Sequence, residues 1–288
     1  MHPRKLIKLA DASRLTRWPD GAPRVPVLLY HRMARSGEQI DPAAAVSQTR
    51  FDRQLGYLAD AGYMCISLDR LIGYVRNGQP VPNRSFVITF DDGFLDTYRL
   101  AWPVLRRRGM PATVFLVSDR IGKTSEWMQT EPSGPQLLMG ADHIRRMHAG
   151  GVDFGSHGCA HWDMTALNET ALSDELVRSR ARLSELLGHE VRTLAYPYGR
   201  FETRERLFAA RAGYTAAASV VAGWNHPGTD PLALRRIVVS GRDTGMSLLV
   251  KMVLGEHMVR WHRLSARMAR AAWAGAANRL LPQTLHQA

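Results

Sequence analysis

Cysteine and long apolar runs are both scarce in this chain. The only cysteines are Cys65 and Cys159, too few for a disulfide framework, and reduced thiols are the simpler interpretation. No stretch approaches the roughly 18 apolar residues that a bilayer-spanning helix needs. The first apolar piece of the N-terminus is interrupted by Lys8 and Asp11, which a secretory signal would not tolerate. These absences favour a cytoplasmic protein.

Acidic residues are also few. The chain has 26 of them against 38 lysines and arginines, a formal net charge of +12 in 288 residues. Such a balance attracts anions, including acidic glycans, nucleic acid and anionic lipid, without selecting among them. The sequence contains no motif that reads RNA or DNA, so we expect no nucleic-acid partner. The 45% hydrophobic content is sufficient for one large core.

Short apolar runs alternate with segments of helical periodicity, which is typical of βα units around a parallel sheet or barrel. The predicted strands are 25–30, 64–68, 85–90, 112–118, 152–156, 193–196, 214–219 and 234–240. The predicted helices are 51–59, 97–108, 168–188 and 202–212, and Asn168 is the expected N-cap of the longest. Segment 119–140, rich in turn residues, is predicted to be an inserted loop, and such loops are often functional.

The chain from residue 245 onward differs from the rest, because it is basic and Glu256 is its only acid. Its apolar stripe is Trp261, Leu264, Met268 and Ala272, and a parallel stripe contains Arg260, Arg263, Arg267 and Arg270. This pattern predicts a basic amphipathic helix, either packed on the barrel or lying on the anionic inner membrane face. We therefore divide the chain into a basic segment 1–24, a barrel domain 25–244 and a helical tail 245–288.

The sequence 86-FVITFDDGFLDTY-98 places two adjacent carboxylates, Asp91 and Asp92, at the end of a predicted buried strand. Like charges this close repel each other, and burying either one without a partner is costly. A cation, a substrate or both would compensate for this cost. Gly93 allows the chain to turn, so that both carboxylates can reach one site. Catalytic groups of α/β folds collect at such strand ends.

Two further motifs also follow predicted strands. In 156-SHGCAH-161, the side chains of His157 and His161 can converge, and two histidines with one carboxylate leave metal positions open for water and substrate. The same ligand set also serves non-haem iron oxygenases. In 195-AYPYGRF-201, Pro197 and Gly199 indicate a tight turn, which either is only a turn or directs a backbone N–H at an oxyanion.

The motifs TFDDG, SHxxxH and YPYG, in this order, resemble those of the NodB-homology polysaccharide deacetylases, carbohydrate esterase family 4. The resemblance covers about residues 25–240. The opening 26-PVLLYHRM-33 is similar to the poly-N-acetylglucosamine deacetylase branch, which has an N-terminal YH motif. The resemblance implies a distorted (β/α)7-type TIM-like barrel. It also implies a metal-dependent hydrolase that removes N-acetyl groups from a polysaccharide, an oligosaccharide or a lipid-linked saccharide.

The resemblance also implies a role for each motif residue. Asp91 would be the general base, and Asp92, His157 and His161 would bind one divalent cation, expected to be zinc, with cobalt, nickel or iron as alternatives. Tyr198 would supply a backbone N–H to the oxyanion. Pro197 and Gly199 are further expected substrate contacts. Trp162, judged from its position beside His161, either lines a sugar-binding cleft or packs in the core.

This chain departs from the common family pattern at the general acid. Most members keep a histidine near the end of the barrel, but 234-LRRIVVSGRD-243 has none. The branch with the YH motif would supply this histidine from the first strand, which here means His31. His226, in 223-GWNHPG-228, is the rival candidate.

A second departure is Ala195, which stands where many members have an arginine that orients the base. We expect Arg235 or Arg236 to substitute for it, unless the base is tuned differently. These departures keep two alternatives open: a non-catalytic glycan-binding or accessory protein on the same fold, and another mononuclear metalloenzyme.

Overall fold

The computed structural model describes residues 21–38, 40–131 and 133–258. Contacts divide the chain into two compact units, Met1–His257 and Met258–Ala288. The predicted stripes of the tail fall in the second unit and lie outside the described residues. Within the described ranges, no helix is both long and apolar enough to cross a bilayer.

A curled parallel sheet forms the centre of the first unit. Its strands are β1 Val27–Tyr30, β4 Met64–Cys65, β5 Ser85–Phe90, β6 Thr113–Leu116, β7 Asp153–Ser156, β8 Thr193–Ala195, β9 Ala216–Ala218 and β10 Ile237–Val238. Their order is β10-β1-β5-β6-β7-β8-β9, with β4 also pairing with β5. A separate parallel pair consists of β2 Arg32–Ala34 and β3 Ala45–Ser47. All eight predicted strands overlap a strand of the main sheet.

One short segment, 234–238, joins the two ends of this sheet. Leu234 pairs with Ala218 at the end of β9, and Ile237 pairs with Leu28 of β1. The segment therefore bridges the last strand and the first, which is how a sheet curls into a barrel. The predicted α/β barrel of TIM-like type is confirmed.

Seven α-helices lie between and after the strands in the described residues. They are α1 Gln48–Asp60, α2 Leu68–Asn77, α3 Trp102–Arg108, α4 Ala141–Ala149, α5 Glu169–Leu187, α6 Thr203–Arg211 and α7 Gly245–Leu254; a π-helical turn, Thr97–Ala101, precedes α3. As predicted, the Asn168 side chain caps α5 by accepting from the Ala171 N–H, and α5 ends at a left-handed Gly188. The helices α2 and α4 were not predicted, and α7 lies within the segment 245–288 that was predicted to be helical.

Helix α7 begins at the residue where we placed the tail, yet it belongs to the barrel unit. It packs against α1, and Lys251 on it is buried, with its Nζ 2.6 Å from Asp243 Oδ2. Because a buried lysine needs such a partner, Lys251 is not part of a solvated basic face.

Alternate residues of the strands divide the apolar interior into two cores. Leu28 and Ile88 belong to the outer core, between the sheet and its helices. Their neighbours Val27 and Val87 belong to an inner core, which also includes the apolar face of α2. Because side chains alternate along a strand, Asp91, next after Phe90 of the outer core, falls in register with the inner one.

Candidate metal and catalytic site

The two adjacent aspartates follow the last residue of β5. The Asp91 N–H continues the sheet by donating to Tyr30 O at 3.0 Å. Asp92 then has φ +72° and Gly93 φ +75°, both in the left-handed region. A non-glycine residue is uncommon there, and such strain gathers at functional sites. The turn lets both carboxylates lie at the carboxyl end of the barrel, as the sequence predicted.

The structure brings His157 and His161 to the same place. The His157 Nδ1–H donates to Ala195 O at 2.7 Å, so its Nε2 faces the aspartates. Asp92 Oδ1 lies 3.4 Å from His157 Nε2 and 3.2 Å from His161 Nε2. One ligand atom from each of the three residues lies within 4.8 Å of the others.

The donor chemistry of this cluster fits a divalent cation. Asp92 Oδ1 is buried and has no hydrogen-bond partner in the described residues, although two imidazole nitrogens face it. Burial alone would raise the pKa of Asp92, but the two histidines hold that pKa far below the ordinary aspartate value. One carboxylate and two imidazoles match the three protein ligands of catalytic zinc sites. The set therefore suits one cation with positions left open.

Glu175 of α5 holds the loop that carries the two histidines by hydrogen bonds to its backbone. Its Oε1 accepts from the N–H of Cys159 at 2.7 Å and from the N–H of Ala160 at 2.9 Å. The Cys159 thiol donates to Glu175 O at 3.4 Å, and burial raises the pKa of this thiol to about 11. Cys159 therefore acts as a small buried filler. The sequence interpretation did not identify Glu175.

Arg236 takes the place of the missing motif arginine. It is fully buried, and its two terminal nitrogens contact the two oxygens of Asp91 at 2.6 and 2.8 Å. Its Nε–H donates to Ser219 O at 2.7 Å, which fixes the guanidinium plane. Burial would raise the pKa of Asp91, but the charge of Arg236 keeps that pKa below its ordinary value. Arg235, the other candidate, contacts Ala222 O instead.

The two candidate acids lie at opposite ends of β1. His31 follows the last residue of the strand, and its charge is one of those that lower the pKa of Asp91. His226 follows Asn225, which pairs with Val25, ahead of the first residue of the strand. At about 3.3 Å per residue, the strand separates these ends by nearly 20 Å. Of these two histidines, the structure places only His31 beside the aspartates.

A partly buried ion pair follows His31 in the chain. Arg32, the next residue, approaches Asp96 with 3.5 Å between Arg32 Nε and Asp96 Oδ2. Burial raises the pKa of Asp96 to about 7, because this loose contact and a hydrogen bond from Met33 offset only part of the desolvation cost. No pattern in the sequence indicated this pair.

The YPYG turn borders the ligand loop. Tyr198 has φ +57°, and its ring packs edge-on against His161 with 4.7 Å between ring centres. Gly199 has φ +67°, and a Cβ there would lie 2.2 Å from the Val220 side chain, so this position requires glycine. Pro197 is buried at the start of the turn. Trp162, next to His161 in the chain, is 59% exposed.

Trp127 also contacts the site, and the sequence did not predict this. It lies on the predicted inserted loop, and its indole stacks on the His161 ring with 4.3 Å between centres and 20° between planes. Only the loop itself was predicted as functional; no pattern linked position 127 to position 161.

The fold and the site together define the class of protein: an α/β barrel with a donor set for one divalent cation beside a second, buried carboxylate that is paired with Arg236. Residues 78–217 match the family model for polysaccharide deacetylase. This region therefore belongs to the polysaccharide deacetylase family, as the motifs predicted. The corresponding enzymes are hydrolases that act on carbon–nitrogen bonds other than peptide bonds.

Three related proteins illustrate the similarity. The poly-beta-1,6-N-acetyl-D-glucosamine N-deacetylase of Staphylococcus aureus (strain MRSA252) is 24% identical over 222 residues, 74% of this chain and 73% of that one. The structure of IcaB from Ammonifex degensii has TM-score 0.68 and 26% identity, covering 80% of this chain and 97% of that one. The Streptococcus pyogenes deacetylase PplD, in complex with acetate, has TM-score 0.68 and 23% identity, covering 80% and 99%.

Proposed function

We propose that this chain is a metal-dependent N-deacetylase. It would act on N-acetylated sugars of a polysaccharide, an oligosaccharide or a lipid-linked saccharide. The observation that carries the proposal is a division of labour between adjacent aspartates: Asp92 faces two histidines, whereas Asp91 is held ionised by Arg236. The relative from Staphylococcus aureus, which is named for poly-β-1,6-N-acetylglucosamine, supports the choice of substrate class.

Asp92, His157 and His161 would hold the cation, and zinc is the first choice for these ligands. When bound, the cation would polarise the acetamide carbonyl and lower the pKa of water in the site. Asp91 takes a proton from the water that attacks the carbonyl carbon. Arg236 keeps Asp91 ionised and fixes the direction of its oxygens, so the base needs no reorganisation before it acts.

Two further groups complete the reaction. The backbone N–H of Tyr198 would donate to the oxygen that gains charge when the carbonyl is attacked. His31 would give a proton to the sugar nitrogen as the carbon–nitrogen bond breaks. The products are acetate and a free sugar amine. Water supplies the hydroxyl group of acetate and one proton, and His31 regains its proton from Asp91 or from solvent.

Acetate release from N-acetylglucosamine oligomers, with β-1,4- and β-1,6-linked series compared in the presence of added Zn²⁺ or Co²⁺, tests the proposal. Asp91→Asn should keep metal binding and lose at least about 100-fold in turnover, since a general base contributes 10²–10⁴-fold. Asp92→Ala and His157→Ala should lose both metal and turnover. The proposal is wrong if these variants retain activity, or if the metal-loaded wild type binds the oligomers without releasing acetate.

The cytoplasmic location and the contact of the tail with an anionic membrane stay predictions from the sequence. Flotation of the full chain with anionic and neutral vesicles tests the contact: binding to both alike, or to neither, would contradict it.

A further inference from the structure

His161 differs from His157 in how its ring is held. The His157 Nδ1–H is fixed by Ala195 O, the usual arrangement in which a ligand histidine donates its second N–H to a carbonyl or carboxylate. The Nδ1 of His161 is buried and has no hydrogen-bond partner among the described residues. His161 also has φ +64°, a backbone conformation uncommon for a residue other than glycine. Something other than a hydrogen bond must therefore orient its ring.

Two aromatic rings contact the His161 imidazole and can orient it. The Trp127 indole stacks on the His161 imidazole with 4.3 Å between centres, and Tyr198 packs against it edge-on at 4.7 Å. Stacked and edge-to-face aromatic pairs attract each other beyond the effect of the apolar area they bury. Tyr198 is 49% exposed, whereas Trp127 is half-buried. Of the two rings that contact His161, Trp127 is therefore the one held more firmly by its surroundings.

Trp127 is itself held by an arm, residues 119–131 and 133–140. Within the arm, Ser125 exchanges hydrogen bonds with Gln136 at 2.8 and 2.9 Å. The far end of the arm is joined to the residues that follow Asp92: the Met139 N–H donates to Gly93 O at 2.9 Å. Phe94 and Leu138 form an antiparallel bridge beside this bond. One arm therefore contacts the chain on both sides of the cluster, next to Asp92 and on His161.

We infer that Trp127 is a positioning residue of the metal site, which directs His161 Nε2 toward the cation by stacking where a hydrogen bond is absent. This inference rests on the metal site of the proposed function and assigns part of that site to the arm. It follows that the arm contributes to metal retention, although none of its residues belongs to the cluster of ligands.

The test is the Zn²⁺ dissociation constant, measured with a competing chromophoric chelator, for wild type, Trp127→Ala and Trp127→Phe. Losing a group that orients a ligand typically weakens metal binding 10–100-fold, so we expect Trp127→Ala to bind Zn²⁺ about tenfold more weakly. Trp127→Phe retains a stacking ring and should stay within about threefold of wild type. Trp162→Ala is the matched control, because this exposed neighbour of His161 has no ring contact with it; its Zn²⁺ affinity should not change.

A second measurement holds even if the alanine variant folds poorly. Co²⁺ quenches nearby tryptophan emission, so Co²⁺ should quench wild type more than Trp127→Phe. At saturating Zn²⁺, the turnover of Trp127→Ala should recover most of the wild-type kcat. Equal Zn²⁺ constants in wild type and Trp127→Ala, or equal quenching in wild type and Trp127→Phe, would overturn the inference. A wild type that binds Zn²⁺ but releases no acetate would instead refute the proposed function alone.

Discussion

Replacing Arg236 with methionine tests what keeps Asp91, the proposed catalytic base, ionised. Methionine fills a similar volume without charge, so the substitution leaves Asp91 buried with its main cationic partner gone. The matched control is Arg236→Lys, which keeps a positive charge but cannot contact both carboxylate oxygens at the 2.6 and 2.8 Å distances of the guanidinium.

The expected magnitude follows from burial. An exposed ion pair contributes about 0–1 kcal/mol, but Arg236 and Asp91 have side chains that are only 0% and 3% exposed. Removing one member of a buried pair costs about 3–5 kcal/mol, because the other charge remains in the interior without compensation. We expect Arg236→Met to lose stability in this range at pH 7, and Arg236→Lys to lose less.

The pH dependence has a definite sign. Because the pKa of Asp91 is lowered in the folded state, its stabilisation is present above the ordinary aspartate value of about 3.9 and is lost as the pH falls through the folded pKa. Without Arg236, burial raises this pKa instead. The acid limb of the activity profile should then move toward neutral pH, and the variant should be relatively more stable at pH 4 than at pH 7.

Urea unfolding and a pH–rate profile of acetate release measure both effects. The deciding comparison is the double variant Asp91→Asn with Arg236→Met, which has no unpaired charge. We expect it to be more stable than Arg236→Met alone. If the added asparagine restores no stability, the loss comes from packing and not from an isolated carboxylate, and our account of this pair is refuted.

Three further predictions concern the surroundings of the base. Glu175→Leu leaves the N–H groups of Cys159 and Ala160 without an acceptor, which should lower the free energy of unfolding by about 1–3 kcal/mol for each buried group. Glu175→Gln retains an acceptor and should lose less stability. Urea unfolding measures the difference, and equal losses of stability in the two variants would contradict this role of Glu175. Because the pKa of Asp96 is raised to about 7, wild-type stability should fall between pH 4 and pH 7, by at most about 4 kcal/mol at 1.36 kcal/mol per unit. Asp96→Asn should reduce the fall of the melting temperature between pH 4 and pH 7. If the slope is unchanged, the fall is caused by other groups. Zn²⁺ at 100 times its dissociation constant should add about 2.7 kcal/mol of stability to wild type but none to Asp92→Ala. Calorimetry measures this gain, and an equal rise in the melting temperature of both proteins would show that the Zn²⁺ binds non-specifically.

The convergence of the three motifs could be predicted because parallel strands end at a common edge. Asp92 and His157 follow two different strands, and strand ends alone place them together. The alternation of side chains along a strand is just as regular, yet it did not show whether Arg235 or Arg236 points toward Asp91. The choice depends on which strand face points into the barrel, and both faces of a parallel strand are apolar.

Contacts that depend on irregular chain could not be predicted. Trp127 reaches His161 across 34 positions through an arm whose bends follow no period. The short helices α2 and α4 were not predicted for a related reason: their boundaries depend on packing against the barrel more than on local propensity. His226 remained a rival to His31 because only the pairing of Asn225 with Val25 reveals which end of the barrel it occupies.

The segment that closes the barrel also carries Arg236, so closure of the sheet and pairing of the Asp91 carboxylate depend on the same residues. A ribosome delivers Asp92, His157 and His161 long before residue 236, so the proposed metal ligands exist in a nascent chain whose barrel is still open. Until the segment docks, β1 and β9 each expose an unpaired edge, which invites aggregation, and Asp91 has no guanidinium partner. We therefore expect a product truncated ahead of Leu234 to aggregate, because it lacks both the strand that closes the sheet and the cationic partner of Asp91.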